Sequence, residues 1–190
     1  LGNIDEDDPN LSAESKGYAG VAYAARAFDY YMLMVLFEPV ENKYTDCSKV
    51  LGLTVPIVTE NTTEEEAKNN PRVTHDEMMK FILSDLDKAE GYLKNYTPDN
   101  KHVPDLAVTY GIRAKALMWD KQYAEAAKYA RLAIETSGAT PMTADEWENP
   151  SSAFAVATSA WMWYLTYAPE EMGNLCNFVG WISAEADWGY

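Results

Sequence analysis

The chain has 190 residues, 47% hydrophobic and 24% charged, which fits one globular domain with a real core and excludes a disordered tail. A formal net charge of −15 argues against nucleic acid or an anionic membrane surface as partner. Two cysteines cannot make a disulfide framework, so the fold must stand on packing. Aromatic residues reach 13%, with 6 Trp and 13 Tyr, an excess that a bland helical domain does not need. The chain opens at Leu1 without an apolar leader and stops at Tyr190 without a closing helix or polar tail, so it is expected to be an internal piece of a longer protein. No apolar run reaches the length of a membrane span.

Residues 1–11 are acidic and irregular, with Asp5, Glu6, Asp7 and Asp8 before Pro9. From Ala13 the pattern predicts a long helix to Phe37, with Tyr18, Val21, Ala22, Ala25, Phe28, Met32, Val35 and Leu36 as its apolar stripe and Pro39 as its stop. Residues 41–70 read as a polar excursion with a short apolar run at 51–58, broken by Pro56, and a helical turn at 63–68. Thr74-His75-Asp76-Glu77 has capping-box spacing and opens a helix predicted over 76–95, with Met78, Ile82, Leu86, Ala89 and Leu93 on one face. Pro98 and Asn100 mark the next turn.

A helix is predicted over 105–119, with Tyr110, Ala114 and Leu117 facing inward, and another over 123–136. In the latter, Ala126, Ala130 and Ala133 are spaced to let a second helix approach closely, and Gly138 and Pro141 end it. Tyr110 with Ala114, then Tyr123 with Ala126 and Ala133, fit a tetratricopeptide-like hairpin, with Ala130 in place of the usual aromatic and Gly138 in place of the usual Pro. One such hairpin cannot bury its own face, so the first two long helices are expected to stack beside it. Thr143-Ala144-Asp145-Glu146 is a second capping-box match. Residues 154–167 read either as a strand pair or as loop and helix.

Signals for catalysis are poor. His75 and His102 are the only histidines, and neither has metal-ligand spacing to a Cys or carboxylate, so both are expected on a solvated surface. No nucleophile elbow, phosphate loop or dinucleotide fingerprint occurs. The Asp5–Asp8 run lacks the Gly and distal Glu of a calcium loop. Glu146 and Glu148 flank Trp147, which has the ingredients of a glycosidase pair, but capping explains Glu146 better. Cys47 and Cys176 are expected to be inert thiols. No cofactor is expected, and no metal.

The more informative feature is an asymmetry. After Arg131 there is no Lys or Arg, whereas Glu135, Asp145, Glu146, Glu148, Glu170, Glu171, Glu185 and Asp187 remain. The same stretch holds Trp147, Trp161, Trp163, Trp181 and Trp188, every Trp except Trp119. Flat rings beside carboxylate and amide acceptors suit the C–H faces and hydroxyls of sugars; the plainer reading is that the indoles fill a core. The candidate ligand-binding residues are therefore Trp147, Trp161, Trp163, Trp181, Trp188 and Tyr190. The missing cations favour a neutral or weakly charged oligosaccharide over a polyanionic one.

Taken in order, these segments resemble the SusD/RagB family of outer-membrane nutrient-binding lipoproteins. Ala25-Arg26-Ala27-Phe28-Asp29-Tyr30-Tyr31 through Leu36-Phe37-Glu38-Pro39-Val40 is similar to the family's long helix and the Pro-containing loop after it. Gly52-Leu53-Thr54-Val55-Pro56-Ile57-Val58 is similar to its next loop. Asn70-Pro71-Arg72-Val73-Thr74, followed by Ile82-Leu83-Ser84-Asp85-Leu86-Asp87-Lys88-Ala89, resembles its Pro-Arg and Asp-Leu-x-x-Ala helix. Ala114-Lys115-Ala116-Leu117 with Tyr123-Ala124-Glu125-Ala126-Ala127 resembles its tetratricopeptide-like hairpin. Glu38 departs from a frequent Gly, and the lipid-bearing N-terminal Cys and most of the family's C-terminal half have no counterpart here.

The resemblance implies a mainly α fold: tetratricopeptide-like hairpins stacked as an α-α superhelix, with long loops and an irregular aromatic-rich C-terminal segment. It implies a helical-repeat domain over 1–150 and, over 151–190, the start of a loop-rich segment completed by further sequence. It also implies a non-enzymatic, surface-exposed outer-membrane lipoprotein. Such a protein captures oligosaccharide or another nutrient and passes it to a SusC-like TonB-dependent transporter. It would meet the membrane only through a lipid anchor absent from this chain, and would not bind nucleic acid. The alternative is a helical-repeat adaptor that binds only protein, with its Trp all in the core; a glycosidase is a distant third.

Overall fold

The computed structural model describes residues 1–2, 4, 8–149, 151 and 157–165. Among the described residues six helices follow one another: α1 (Ala13–Phe37), α2 (Glu64–Lys68), α3 (His75–Leu93), α4 (Leu106–Trp119), α5 (Tyr123–Ser137) and α6 (Ala144–Glu148). Among the described residues there is no strand, only an isolated bridge between Leu53 and Thr74. No helix there is long and apolar enough to cross a membrane. The fold is mainly helical, as expected.

Local chemistry sets the helix starts. Ser12 Oγ accepts from Ser15 N at the head of α1, and Asp105 Oδ1 accepts from Val108 N at the head of α4. Thr63, Thr74 and Thr143 each form a reciprocal capping box with the Glu three residues on. The chain turns from α4 into α5 through a Schellman motif, in which Gln122 N reaches Leu117 O at 2.8 Å and Lys121 N reaches Met118 O at 3.1 Å. Lys121 takes φ 61° there, a left-handed conformation that favours glycine. Gly138 takes the same φ after α5 and ends it.

α1 packs along α3, α4 along α5, and both α1 and α3 touch α4. The expected face of α3 is buried in full: Met78, Ile82, Leu86, Ala89 and Leu93. The expected stripe of α1 is corrected. Its buried face is Gly17, Ala19, Gly20, Tyr23, Ala24, Ala27, Tyr30 and Met34, while Tyr18, Met32 and Leu36 are exposed. Small residues on that face let α3 come close: a Cβ added at Gly20 would sit 2.9 Å from Leu93 Cγ. In α5, Ala126 and Ala133 are buried as expected, but Ala130 is exposed and not part of the seam.

The 41–70 excursion is tied down along α1 and α3. Arg26 forks onto both oxygens of Asp85 at 2.7 and 2.8 Å and reaches Glu60 at 2.5 Å. Tyr30 Oη donates to Val58 O and accepts from Val58 N. Arg72 donates to Thr54 O, and Thr54 N to Val73 O. His75 is also corrected. Its ring is not a solvated surface group but bridges Glu38 and Asp120. Cys47 is a free thiol.

Candidate functional site

A cleft of about 890 Å³ opens beside α4. Its wall is one face of that helix, Val108, Gly111, Ile112 and Lys115, at steps of three and four residues. Gly111 contributes no side chain, and a Cβ there would meet nothing within 4 Å. Phe28 enters from α1, Trp147 and Glu148 from α6, and Trp161, Met162 and Trp163 from the segment after it. Three of the six predicted ligand-binding residues, Trp147, Trp161 and Trp163, therefore share one cleft, although the first and last stand 16 positions apart in the chain. Trp181, Trp188 and Tyr190 lie outside the described residues, as do Cys176 and the Asp5–Asp7 part of the acidic run. Residues 157–165 run as loop and turns.

Each indole is held differently. Trp163 meets Phe28 edge-to-face, with ring centroids 5.0 Å apart, and its Nε1 donates to His102 O at 3.1 Å. The carbonyl of Trp161 accepts from Lys101 Nζ at 2.5 Å. Next to it, Tyr164 N donates to Lys101 O at 3.1 Å, and the Tyr164 ring meets the His102 ring at 4.7 Å. The loop between α3 and α4 thus fixes the 161–164 segment against the helices. Trp147 rides on α6 and is 58% exposed. That short helix is set by Thr143: Glu146 accepts from the Thr143 backbone N–H and hydroxyl, which together hold its carboxyl below the usual range. Glu146 is thus a capping residue, leaving Glu148 as the carboxylate on the cleft.

The sequence reading missed Lys115, Phe28, Lys101 and His102. Chain order hid Lys115 in particular, because the charge asymmetry was drawn from residues after Arg131, whereas the fold brings α4 against them. A signal was present: the neighbours of Lys115 one turn away are Gly111, Ile112, Met118 and Trp119, with no acid among them. Lys68, Lys94 and Lys128, by contrast, each pair with a Glu on their own helix. No group of three or more His, Cys, Asp or Glu among the described residues is arranged to hold a metal ion.

The described residues form a helical fold with an aromatic, mostly apolar cleft. No family model and no curated protein matches the chain. Solved structures do match, SusD-like proteins among them. A SusD-like carbohydrate binding protein from Bacteroides vulgatus superposes with a TM-score of 0.64 at 24% identity, covering 82% of this chain and 31% of that one. A SusD-like protein from Bacteroides fragilis superposes with a TM-score of 0.52 at 23% identity, covering 73% of this chain and 23% of that one. The chain has the helical fold of these proteins and spans about a third or less of their length.

Proposed function

We propose that this chain is part of a SusD/RagB-type protein that binds carbohydrate without transforming it, with the Trp147, Trp161 and Trp163 cleft as its ligand site. The convergence of three indoles on one cleft carries the reading. Aromatic faces cover the C–H faces of a sugar ring, and a cleft of several hundred Å³ suits a few such rings. The fold of a SusD-like carbohydrate binding protein supports it. Hydrolysis of a glycosidic bond needs two carboxyl groups across the sugar. The described wall of this cleft brings one, Glu148. Residues 1–150 would serve as helical scaffold and 151–190 would begin a second, loop-rich part. In the whole protein, a lipid anchor at the outer membrane and hand-over of oligosaccharide to a TonB-dependent transporter complete the proposal.

The test is isothermal calorimetry of the full chain against a panel of oligosaccharides, with Trp147→Ala as the key variant. Trp147 is mostly exposed, so its loss should leave thermal unfolding unchanged while weakening binding about tenfold. A panel with no binder, or a binder that Trp147→Ala holds as tightly as the parent, would overturn the proposal.

A further inference from the structure

Resting on the carbohydrate reading of this cleft, we infer that Lys115 is its specificity-determining residue and that the ligand carries a single carboxylate, as in an oligosaccharide with one uronic acid. Among the described residues the cleft is lined by one base, Lys115, and one acid, Glu148, together with the indoles of Trp147, Trp161 and Trp163. Lys115 is exposed and forms no ion pair among the described residues, in a chain where acids outnumber bases 30 to 15. Its own helix keeps acids away from it at the three- and four-residue steps. An unpaired ammonium in the same cleft as three indoles can take an anionic group while a sugar ring stacks on an indole.

Glu148 sets the limit on that charge. It would repel a second carboxylate and instead accept hydrogen bonds from hydroxyls. A formal net charge of −15 opposes a polyanion further. The ligand's acidic residue therefore pairs with Lys115 on α4, and its neutral residues stack on the indoles. This narrows the expectation of a neutral or weakly charged ligand to a weakly charged one, because Lys115 joins the cleft.

The experiment pairs oligosaccharides that differ only by one uronic acid in place of the corresponding hexose, titrated into the full chain over a salt series. Parent protein should bind the acidic member about five- to tenfold tighter at low salt, with the gap closing as salt rises. Lys115→Met should erase the preference between the two members, Lys115→Arg should keep most of it, and Glu148→Gln should admit doubly acidic ligands. Equal affinity for both members, or a preference that survives Lys115→Met, overturns this inference alone. Binding that ignores Trp147→Ala, or no binding by any pair, overturns the carbohydrate reading and this inference with it.

Discussion

His75 shows how much one side chain can join. It is the first residue of α3, Glu38 caps the end of α1, and Asp120 caps the end of α4. Nδ1 lies 2.9 and 3.0 Å from the two Glu38 oxygens, and Nε2 lies 3.0 Å from Asp120 Oδ1. A neutral imidazole has one N–H and would turn a lone pair toward one carboxylate, so the imidazolium is the form this bridge selects. Burial works against the charge, but the hydrogen bonds to Glu38 and Asp120 outweigh it and raise the pKa above 6.5. Gln122 Nε2 holds the other Asp120 oxygen, and Lys121 and Tyr123 border the same hollow. The folded-state pKa is thus raised above the unfolded value. The bridge's contribution is full below about pH 6.5 and is lost as pH rises through the folded pKa. His75→Gln should cost about 1–3 kcal/mol at about pH 6, and less as pH climbs. Melts of both proteins from about pH 5.5 to 9 check this. A stability difference that stays constant across that range would show that the bridge does not titrate.

Helix ends were more legible than helix faces. The capping chemistry at Thr63, Thr74 and Thr143 stands in four consecutive letters, and Gly138 marks a stop, so bounds came out within two residues. The face of α1 did not follow, because that helix is apolar nearly all round and three- and four-residue spacing fits more than one stripe. The packed side is instead the one where Gly20, Ala24 and Ala27 admit α3 between Tyr23, Tyr30 and Met34, and Met32, Leu36 and Phe37 are left exposed. The site was half legible for a related reason: indoles announce themselves, whereas Lys115 and Phe28 acquire meaning only when helices cross. The same contrast can be tested within α5. Ala126 and Ala130 occupy one repeating pattern in sequence, but Ala126 is 7% exposed against α4 and Ala130 faces out. Ala126→Leu should destabilise by about 1–3 kcal/mol through overpacking. Ala130→Leu should change stability by less than about 0.5 kcal/mol. Denaturant unfolding of the two variants checks it, and equal costs would mean that the seam lies elsewhere.

Across the whole molecule, charge sets how the chain responds to salt. Thirty acids face fifteen bases. Arg26, Lys68, Lys94, Arg113 and Lys128 are engaged in ion pairs, which leaves a large surplus of carboxylates on the surface. Salt acts on both populations. It weakens the exposed pairs of Lys68, Lys94 and Lys128, which solvent already screens and which contribute little. It screens the Arg26–Asp85 fork less, because the Asp85 side chain is only 4% exposed and the Arg26 side chain 18%. Against these small losses stands relief of repulsion among surplus negative charges, which are compressed by folding and spread apart by unfolding. The relief should prevail. Raising sodium chloride from about 0.02 to about 0.3 M, which shortens the screening length from about 20 Å to about 6 Å, should raise Tm by about 1–4 °C at pH 7. The gain should shrink toward pH 5, where protonation begins to remove the surplus. Calorimetric melts in sodium chloride, repeated in sodium sulfate at matched ionic strength, separate screening from ion-specific effects. A Tm that falls with sodium chloride would mean that the ion-pair network outweighs the repulsion, and that the excess of acids is already balanced by how the fold places them.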